Sequence, residues 1–365
     1  MENSSLRELL VQPRECSVTS LMAQLTSALT GQGPAIGLGA VTSTQVPARV
    51  SVVVATSGSS GTPKEVGLSS SALINSARSS NTFVGAKYGD IWSLLLPLTH
   101  IAGINVLIRS LELGTTPLDL RDVTVYPKAN FTAIVPTQLF RALNGDHELL
   151  HHLRNCKAVL VGGAALSETV RTQALEQKIN IVETYGMSET CGGCVYNGTP
   201  LDGVTVEIGQ GGEIRISGAV LATGYVNNQA AWDKAFVDGW FTTSDLGEIS
   251  NGTLKVNGRS DDVIISGGEN ISLSAVEKIL SAKFPDCESA GFAMDDSEWG
   301  SALYVALAGA KTPSESDIAT AIVEVLGDIA KPKGYLFLDA LPVISIGKVN
   351  RKALQNIVVS ERLER

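Results

Sequence analysis

Residues 50–64, VSVVVATSGSSGTPK, constrain this chain more than any other stretch. Val50–Ala55 is a short β-branched run bounded by small residues, the pattern of a strand buried on both faces. It leads directly into Thr56-Ser57-Gly58-Ser59-Ser60-Gly61-Thr62-Pro63-Lys64. Small residues there let backbone amides and hydroxyls converge, and Lys64 adds a point charge; together they make a cradle for phosphate oxygens. At the carboxyl end of a buried strand, such a loop lies where open α/β sheets bind ligands. It is not a Walker A loop, which runs from GxxxxGK[ST] into a helix, because Pro63 and then Val66-Gly67-Leu68 follow. The competing reading, a flexible Ser/Gly linker, fits poorly with a preceding buried strand and a Pro-Lys end.

The surrounding pattern is of the same kind. Leu73–Ser80 and Ile101–Leu111 read as helices, and Ile91–Leu96, Ala133–Val135 and Ala158–Val161 as strands, with helical stretches at Gln138–Leu143 and Glu168–Gln177. Strands alternating with helices predict an α/β domain with a largely parallel sheet. From about Val204 the pattern changes to short strands with Gly-rich turns (VTVEI, GEIRIS, TLKVNG), which predicts a small antiparallel β subdomain finishing a large N-terminal domain, residues 1–258. Residues 259–365 then form a smaller α+β domain, with helices at Ser274–Lys283 and Glu315–Leu326 and strands at Ala302–Leu307 and Tyr335–Leu338.

Bulk properties exclude several classes. A net charge of −9 argues against a nucleic-acid binder, whose footprint is a basic face. No stretch reaches the length of a membrane span, and the first residues lack the pattern of a secretory signal. Five cysteines, an odd number, fit a reducing cytoplasm. Cys191 and Cys194 form a CxxC with no second pair at metal-ligand spacing, so they read as small buried or loop cysteines. His147, His151 and His152, in the run DHELLHHL, read as solvated surface residues.

Further motifs follow the first loop in order. They are Pro97-Leu98-Thr99-His100 with Gly103, Val161-Gly162-Gly163-Ala164, Tyr185-Gly186-Met187-Ser188-Glu189-Thr190, Ser244-Asp245-Leu246-Gly247, Gly258-Arg259-Ser260-Asp261-Asp262 and Gly347-Lys348. With TSGSSGTPK they resemble the signatures of the adenylate-forming superfamily, which includes acyl-CoA synthetases, luciferases and peptide-synthetase adenylation domains. The resemblance spans most of the chain.

It implies a carboxylate attacking the α-phosphorus of ATP, with pyrophosphate expelled, and then transfer of the acyl group to coenzyme A. Two anions must meet, so catalysis rests on positioning and charge neutralisation. By resemblance, the loop Thr56–Lys64 holds the β- and γ-phosphates. Glu189 helps hold Mg2+, which takes only one or two protein carboxylates, and Ser188 bonds the α-phosphate. Tyr185 and Gly186 lie beside the adenine with Gly162, Gly163 and Ala164, the glycines permitting close backbone approach. Asp245 accepts both ribose hydroxyls, and Arg259 also contacts ribose. Lys348 bridges the incoming carboxylate and the α-phosphate; an ordinary surface lysine is the bland alternative. Asp261 matches the hinge about which the small domain swings. Gly267, Gly268 and Glu269, in SGGEN, then line the path of the CoA thiol, and a simple β-turn is compatible with that role.

Within the superfamily, YGMSETCGGCVYNGTPLDGV, VPTQLFRAL and RSDDVIISGGENIS resemble the o-succinylbenzoate–CoA ligases of menaquinone biosynthesis, especially their short actinobacterial form. That resemblance implies an acid with a second carboxylate, for which His100, Arg109, Thr137 and Gln138 are the candidates. Arg109 reads equally as a snorkelling helix end, and His100 as a gate in the acyl or pantetheine channel. A ligase for another aryl or short acyl acid, and a free-standing enzyme loading a carrier protein, remain as alternatives. A nucleotide sensor with a decayed site fits poorly with Lys64, Glu189, Asp245, Arg259 and Lys348 all present.

There are departures from the family pattern. About 55 residues precede the phosphate loop, fewer than in most relatives; a homodimer is one way to cover the surface this leaves. Glu65 stands where relatives usually have glycine, so it must point away from the polyphosphate or weaken its binding. Ile346 replaces the common Ser/Thr before Gly347, and Ser272-Leu273-Ser274 lacks the usual proline, although either serine can cap the next helix.

Overall fold

The run Val50–Thr56 is an inner strand of a six-stranded sheet ordered Gly224–Tyr225, Lys64–Ser69, Val50–Thr56, Ala35–Leu38, Leu6–Val11, Gln45–Pro47. The computed structural model describes residues 5–13, 15–56, 64–266, 268–296, 299–309, 311–344 and 348–363, with backbone alone at Asp261, Ile344, Lys348 and residues 361–363. Val50–Thr56 pairs parallel with Ala35–Leu38, which pairs parallel with Leu6–Val11; the other pairings are antiparallel. Thr56 faces Lys64 across the hairpin, and the loop Ser57–Pro63 between them lies outside the described residues.

A second sheet has seven strands, ordered Thr199–Pro200, Gly192–Tyr196, Ile181–Met187, Ala158–Gly162, Phe131–Ile134, Trp92–Leu94, Leu118–Asp119. Its last five strands are parallel and the first two antiparallel. This is the largely parallel sheet that the alternation in the sequence predicts; the first sheet is mixed, because the strand after the phosphate loop returns as a hairpin partner. Helix Ile101–Glu112 is buried from Ile101 through Ser110 apart from Ala102, as expected of a helix apolar all round. It packs against helix Ser70–Phe83 and the strand Trp92–Leu94. The Gly-rich turns after Val204 give antiparallel hairpins, Val204–Ile208 with Glu213–Gly218 and Phe236–Val237 with Trp240–Ser250, in a third sheet.

The described residues separate into two compact units. One takes the chain up to Gly163 together with Ala174–Thr243 and Glu248–Lys255; the other takes Ala164–Gln173, Ser244–Gly247 and Val256 onward. The second unit is built on strand Gly300–Ala308, whose alternation divides its core in two. Leu303, Val305 and Leu307 pack with Val276, Leu280, Ile318 and Ile322 from helices Leu273–Lys283 and Glu315–Leu326. Ala302, Tyr304 and Ala306 face the other way, onto Leu354 and Val358 of helix Arg351–Leu363. Ser272 caps helix Leu273–Lys283 by accepting from the Ala275 amide at 3.2 Å, so the missing proline is not needed.

One surface assignment is corrected. His147 and His151 are exposed, but His152 is 2% exposed. Its Nε2 lies 2.9 Å from the Ser93 hydroxyl, joining helix His147–Asn155 to the second sheet. Leu149, His152 and Leu153 share one helical face, and the histidine follows the leucines inward. Cys191 and Cys194 are buried, and all five cysteines are free thiols. Burial pushes the Cys194 thiol up to about 12, which makes it inert at neutral pH.

Candidate active site

Lys64 opens its strand half-buried, with Nζ 3.4 Å from the Tyr225 hydroxyl and 4.7 Å from the centre of that ring. The Tyr225 hydroxyl donates to Glu189 Oε1 at 2.8 Å. Burial, and then the Glu189 carboxylate, push the phenol well above its ordinary range, so it stays protonated and donates. Lys64 and Glu189, 125 positions apart in sequence, are thus linked through Tyr225, which belongs to none of the motifs. Tyr225 gives no sequence signal: it is placed by a two-residue strand pairing Tyr225 with Val66 and Gly224 with Gly67.

Glu189 lies in the short turn Ser188–Thr190 and is 9% exposed. The turn is locked by Thr190, whose hydroxyl accepts from the Met187 amide (2.9 Å) and donates to Gly192 O (2.7 Å). It closes on Cys191 at φ 51°, whose carbonyl accepts from Asn105 Nδ2 (2.7 Å) and the Ser76 hydroxyl (3.1 Å). Gly186 is required where it stands, since a Cβ there would lie 2.1 Å from Gly192 O. Ser188 and Tyr185 are half-buried in the same segment. Gly162 and Gly163 end the neighbouring strand Ala158–Gly162; a Cβ on Gly162 would meet the Thr184 hydroxyl at 2.1 Å, and Gly163 sits at φ 85°. Ala164 follows them and is exposed.

Glu65 points away from Lys64, as strand alternation requires. Its carboxylate, 1% exposed, accepts from the Thr42 amide (2.6 Å), the Thr42 hydroxyl (2.7 Å), the Ser43 amide (3.3 Å) and the Ser43 hydroxyl. Burial raises this carboxyl, but the hydrogen bonds from Ser43 and Thr42 outweigh it and hold it below its ordinary value of 4.5. A depressed pKa contributes stability above the unfolded-state value and loses it as pH falls through the folded-state value. Glu65→Gln is therefore expected to cost about 1–3 kcal/mol of unfolding free energy near pH 7. The gap to the unmodified protein should narrow as pH falls below the ordinary value of 4.5 and close once the folded-state carboxyl is protonated, as read by denaturant titration across that range. A gap that persists at low pH would show that the ionised carboxylate is not the stabilising species.

In the second unit, Asp245 Oδ1 and Arg259 Nη1 form an ion pair at 3.2 Å, bringing the two candidate ribose contacts together. Gly268 stands at φ 85° in the turn between strands Val263–Ser266 and Glu269–Ser272, with Glu269 exposed. Lys348 opens a two-residue strand paired with Val343–Ile344. Ser57, Gly58, Ser59, Ser60, Gly61, Thr62, Gly267, Ile346, Gly347 and the side chains of Asp261 and Lys348 lie outside the described residues.

His100 starts helix Ile101–Glu112 half-exposed, and burial holds its imidazole below the usual range. Gly103 lets this helix start pass close to the strand end, since a Cβ there would lie 2.3 Å from Pro97 O. Arg109 lies nine residues further on, about 13 Å along the axis. It is not a snorkelling end: it is 4% exposed, its guanidinium carbon lies 5.0 Å from the Trp92 ring centre, and Nη2 donates to the Tyr196 hydroxyl at 3.2 Å. Among the described residues its Nε has no partner and no carboxylate pairs with it. Gln138 spends an acceptor on the Val135 amide (3.1 Å) and a donor on Leu95 O (3.0 Å), bracing two strand ends. Thr137, beside it, is half-buried.

Among the described residues no three His, Cys, Asp or Glu side chains gather as a metal site. One buried carboxylate with an oxygen already fixed by Tyr225 nevertheless suits Mg2+, which keeps most of its sites for water and phosphate.

A family profile described as AMP-binding enzyme matches residues 6–226. The probable 2-succinylbenzoate–CoA ligase of Mycobacterium tuberculosis is 36% identical over 329 residues, covering 85% of this chain and 85% of that protein. The 2-succinylbenzoate–CoA ligase of Bacillus licheniformis is 31% identical over 333 residues, covering 83% of this chain and 69% of that protein. Among solved structures, an Escherichia coli MenE with bound OSB-AMS superposes with a TM-score of 0.73 at 28% identity, over 88% of this chain and 71% of that one. The o-succinylbenzoate CoA synthetase of Bacillus subtilis, in complex with its acyl-adenylate intermediate, superposes with a TM-score of 0.74 over 95% and 83%; at 23% identity this is a likeness of fold.

Proposed function

The chain belongs to the AMP-binding enzyme family, and from that premise we propose that it is an ATP-dependent ligase converting 2-succinylbenzoate to its CoA thioester through an acyl-adenylate, a step of menaquinone biosynthesis. In the first half-reaction a carboxylate oxygen bonds to the α-phosphorus and pyrophosphate leaves. In the second the CoA thiolate bonds to the acyl carbon and AMP leaves.

Thr56–Lys64 holds the β- and γ-phosphates, with Lys64 supplying charge. Tyr225 keeps Lys64 and Glu189 in register and occupies one carboxylate oxygen. Glu189 would hold Mg2+, which would neutralise phosphate charge when bound. Ser188 bonds the α-phosphate, Gly162 to Ala164 and Tyr185-Gly186 flank the adenine, and Asp245 with Arg259 takes the ribose. Lys348 offsets the repulsion between the incoming carboxylate and the α-phosphate. Residues 259–365 turn about Asp261 between the half-reactions, and Gly267, Gly268 and Glu269 then line the approach of the thiol. Five free thiols and the need for ATP and CoA suit a reducing cytoplasm, and among the described residues no helix is long and apolar enough to cross a membrane. A homodimer remains a proposal about the exposed apolar residues Leu6 and Leu10 of the first sheet.

The observation that carries the choice of acid is Arg109, a buried cation with no counter-anion among the described residues. Burying an unpaired charge is costly, and the second carboxylate of 2-succinylbenzoate would relieve that cost; His100 and Thr137 would contribute hydrogen bonds. The test is kcat/KM across 2-succinylbenzoate, benzoate, short fatty acids and amino acids. The expected result is a preference for 2-succinylbenzoate over benzoate of about a hundredfold or more. Equal use of both acids would discard this substrate and keep the adenylation chemistry.

A further inference from the structure

The second unit holds an ion network that none of these roles uses. Arg351 begins helix Arg351–Leu363, three residues after Lys348. Its fork reaches three separate segments: Nε donates to Gly291 O at 2.9 Å, Nη1 to Asp262 Oδ1 at 3.2 Å and Nη2 to Glu277 Oε1 at 2.8 Å. Glu277 Oε1 also accepts from the Gly291 amide at 3.1 Å, and Asp262 Oδ2 from the Ser274 hydroxyl at 3.5 Å. Burial raises the Glu277 carboxyl above its usual range, and Arg351 is the main group opposing that rise.

Asp262 directly follows Asp261 in the chain. One side chain therefore ties the segment at the hinge position to a helix, to a strand and to the exit of the Lys348 hairpin. Among the described residues, the hairpin's other anchors lie at its base, where Leu341 and Val349 pack on the core beneath the last helix. Its strands are two residues each, and the Asn350 amide closes it on Pro342 O at 2.7 Å. A two-stranded ribbon of that size is not stable by itself.

We propose that Arg351 is a positioning residue for the adenylation half-reaction, fixing the Lys348 hairpin in the frame of the hinge segment. The proposal rests on the reading of Lys348 and Asp261 given above. With the clamp in place, rotation about Asp261 carries the lysine as a fixed attachment. Without it, helix Arg351–Leu363 stays docked through Leu354 and Val358 and the base of the hairpin through Leu341 and Val349, but the tie from the hairpin's exit to the hinge segment is lost.

The test compares two half-reactions on one preparation of each full-length variant: pyrophosphate release with ATP and acid, and thioester formation from pre-made acyl-adenylate and CoA. For Arg351→Met and for Asp262→Asn, adenylation should fall by about a hundredfold, the scale of a misplaced catalytic group. Thioester formation should change by less than about threefold, since it does not use the lysine. Arg351→Lys should recover part of the loss for adenylation only. Equal loss in both half-reactions, or no loss in either, overturns the proposal. Lys348→Ala run alongside separates the layers. If that variant is selective for adenylation and Arg351→Met is not, the inference falls alone; if Lys348→Ala is not selective, the reading beneath it falls as well.

Discussion

Replacing Lys348 by alanine is expected to slow acyl-adenylate formation by about a thousandfold, the cost of losing a preorganised charge at a site of developing negative charge. Transfer of the acyl group from pre-made adenylate to CoA should be largely intact in the same variant. The asymmetry follows from the charges. In the first half-reaction a carboxylate approaches a phosphate ester, and an ammonium between them lowers a repulsion that water would otherwise screen. In the second, a thiolate attacks a mixed anhydride with AMP as leaving group, and no such approach of two substrate anions at phosphorus occurs. Pyrophosphate release and thioester formation measured separately check the prediction. Equal loss in both would make Lys348 structural, or would mean that the swing about Asp261 is misassigned.

Arg109→Met is the second large effect. The substitution keeps an unbranched stem against Trp92 and removes the charge. If the guanidinium meets the second carboxylate of the acid, KM for 2-succinylbenzoate should rise by about a hundredfold or more, the cost of truncating one partner of a buried charge pair. Benzoate, which has no second carboxylate to lose, should be used as before. That contrast separates recognition from folding, because a structural defect would lower activity on both acids together. Equal effects on the two acids would reduce Arg109 to its contacts with Trp92 and Tyr196.

What could be read from the sequence depended on the range of the interaction behind each feature. The strand at 50–56 and the helices at 101–112 and 315–326 stand out because unbroken or periodic apolar runs report burial locally. Gly103 and Gly186 belong to recognisable motifs, and the structure supplies the reason: a Cβ at either would strike a backbone carbonyl. Tyr225 was out of reach, because its place depends on a strand pairing across some 160 positions. The need for Glu65 to point away was foreseeable from its charge, but not its partners Thr42 and Ser43, which belong to the loop after another strand.

Two features are written in the sequence beneath a stronger competing signal. Leu149, His152 and Leu153 have the spacing of a buried helical face, yet a histidine-rich run reads as polar. Leu354 and Val358, four apart, announce the face of the last helix that packs on the small unit's sheet. Arg109 shows the opposite difficulty. An arginine near a helix end reads as surface, and only the packing of Trp92 and Tyr196 around it reveals a buried charge.

The central claim is that one polypeptide carries the acid from carboxylate to CoA thioester through AMP. Incubating the intact chain with ATP, Mg2+, 2-succinylbenzoate and CoA, and following products by mass, tests it most directly. The account predicts 2-succinylbenzoyl-CoA, AMP and pyrophosphate in equal amounts, with acyl-adenylate accumulating when CoA is withheld. ADP and phosphate in place of AMP and pyrophosphate, or adenylate that CoA never consumes, would contradict it.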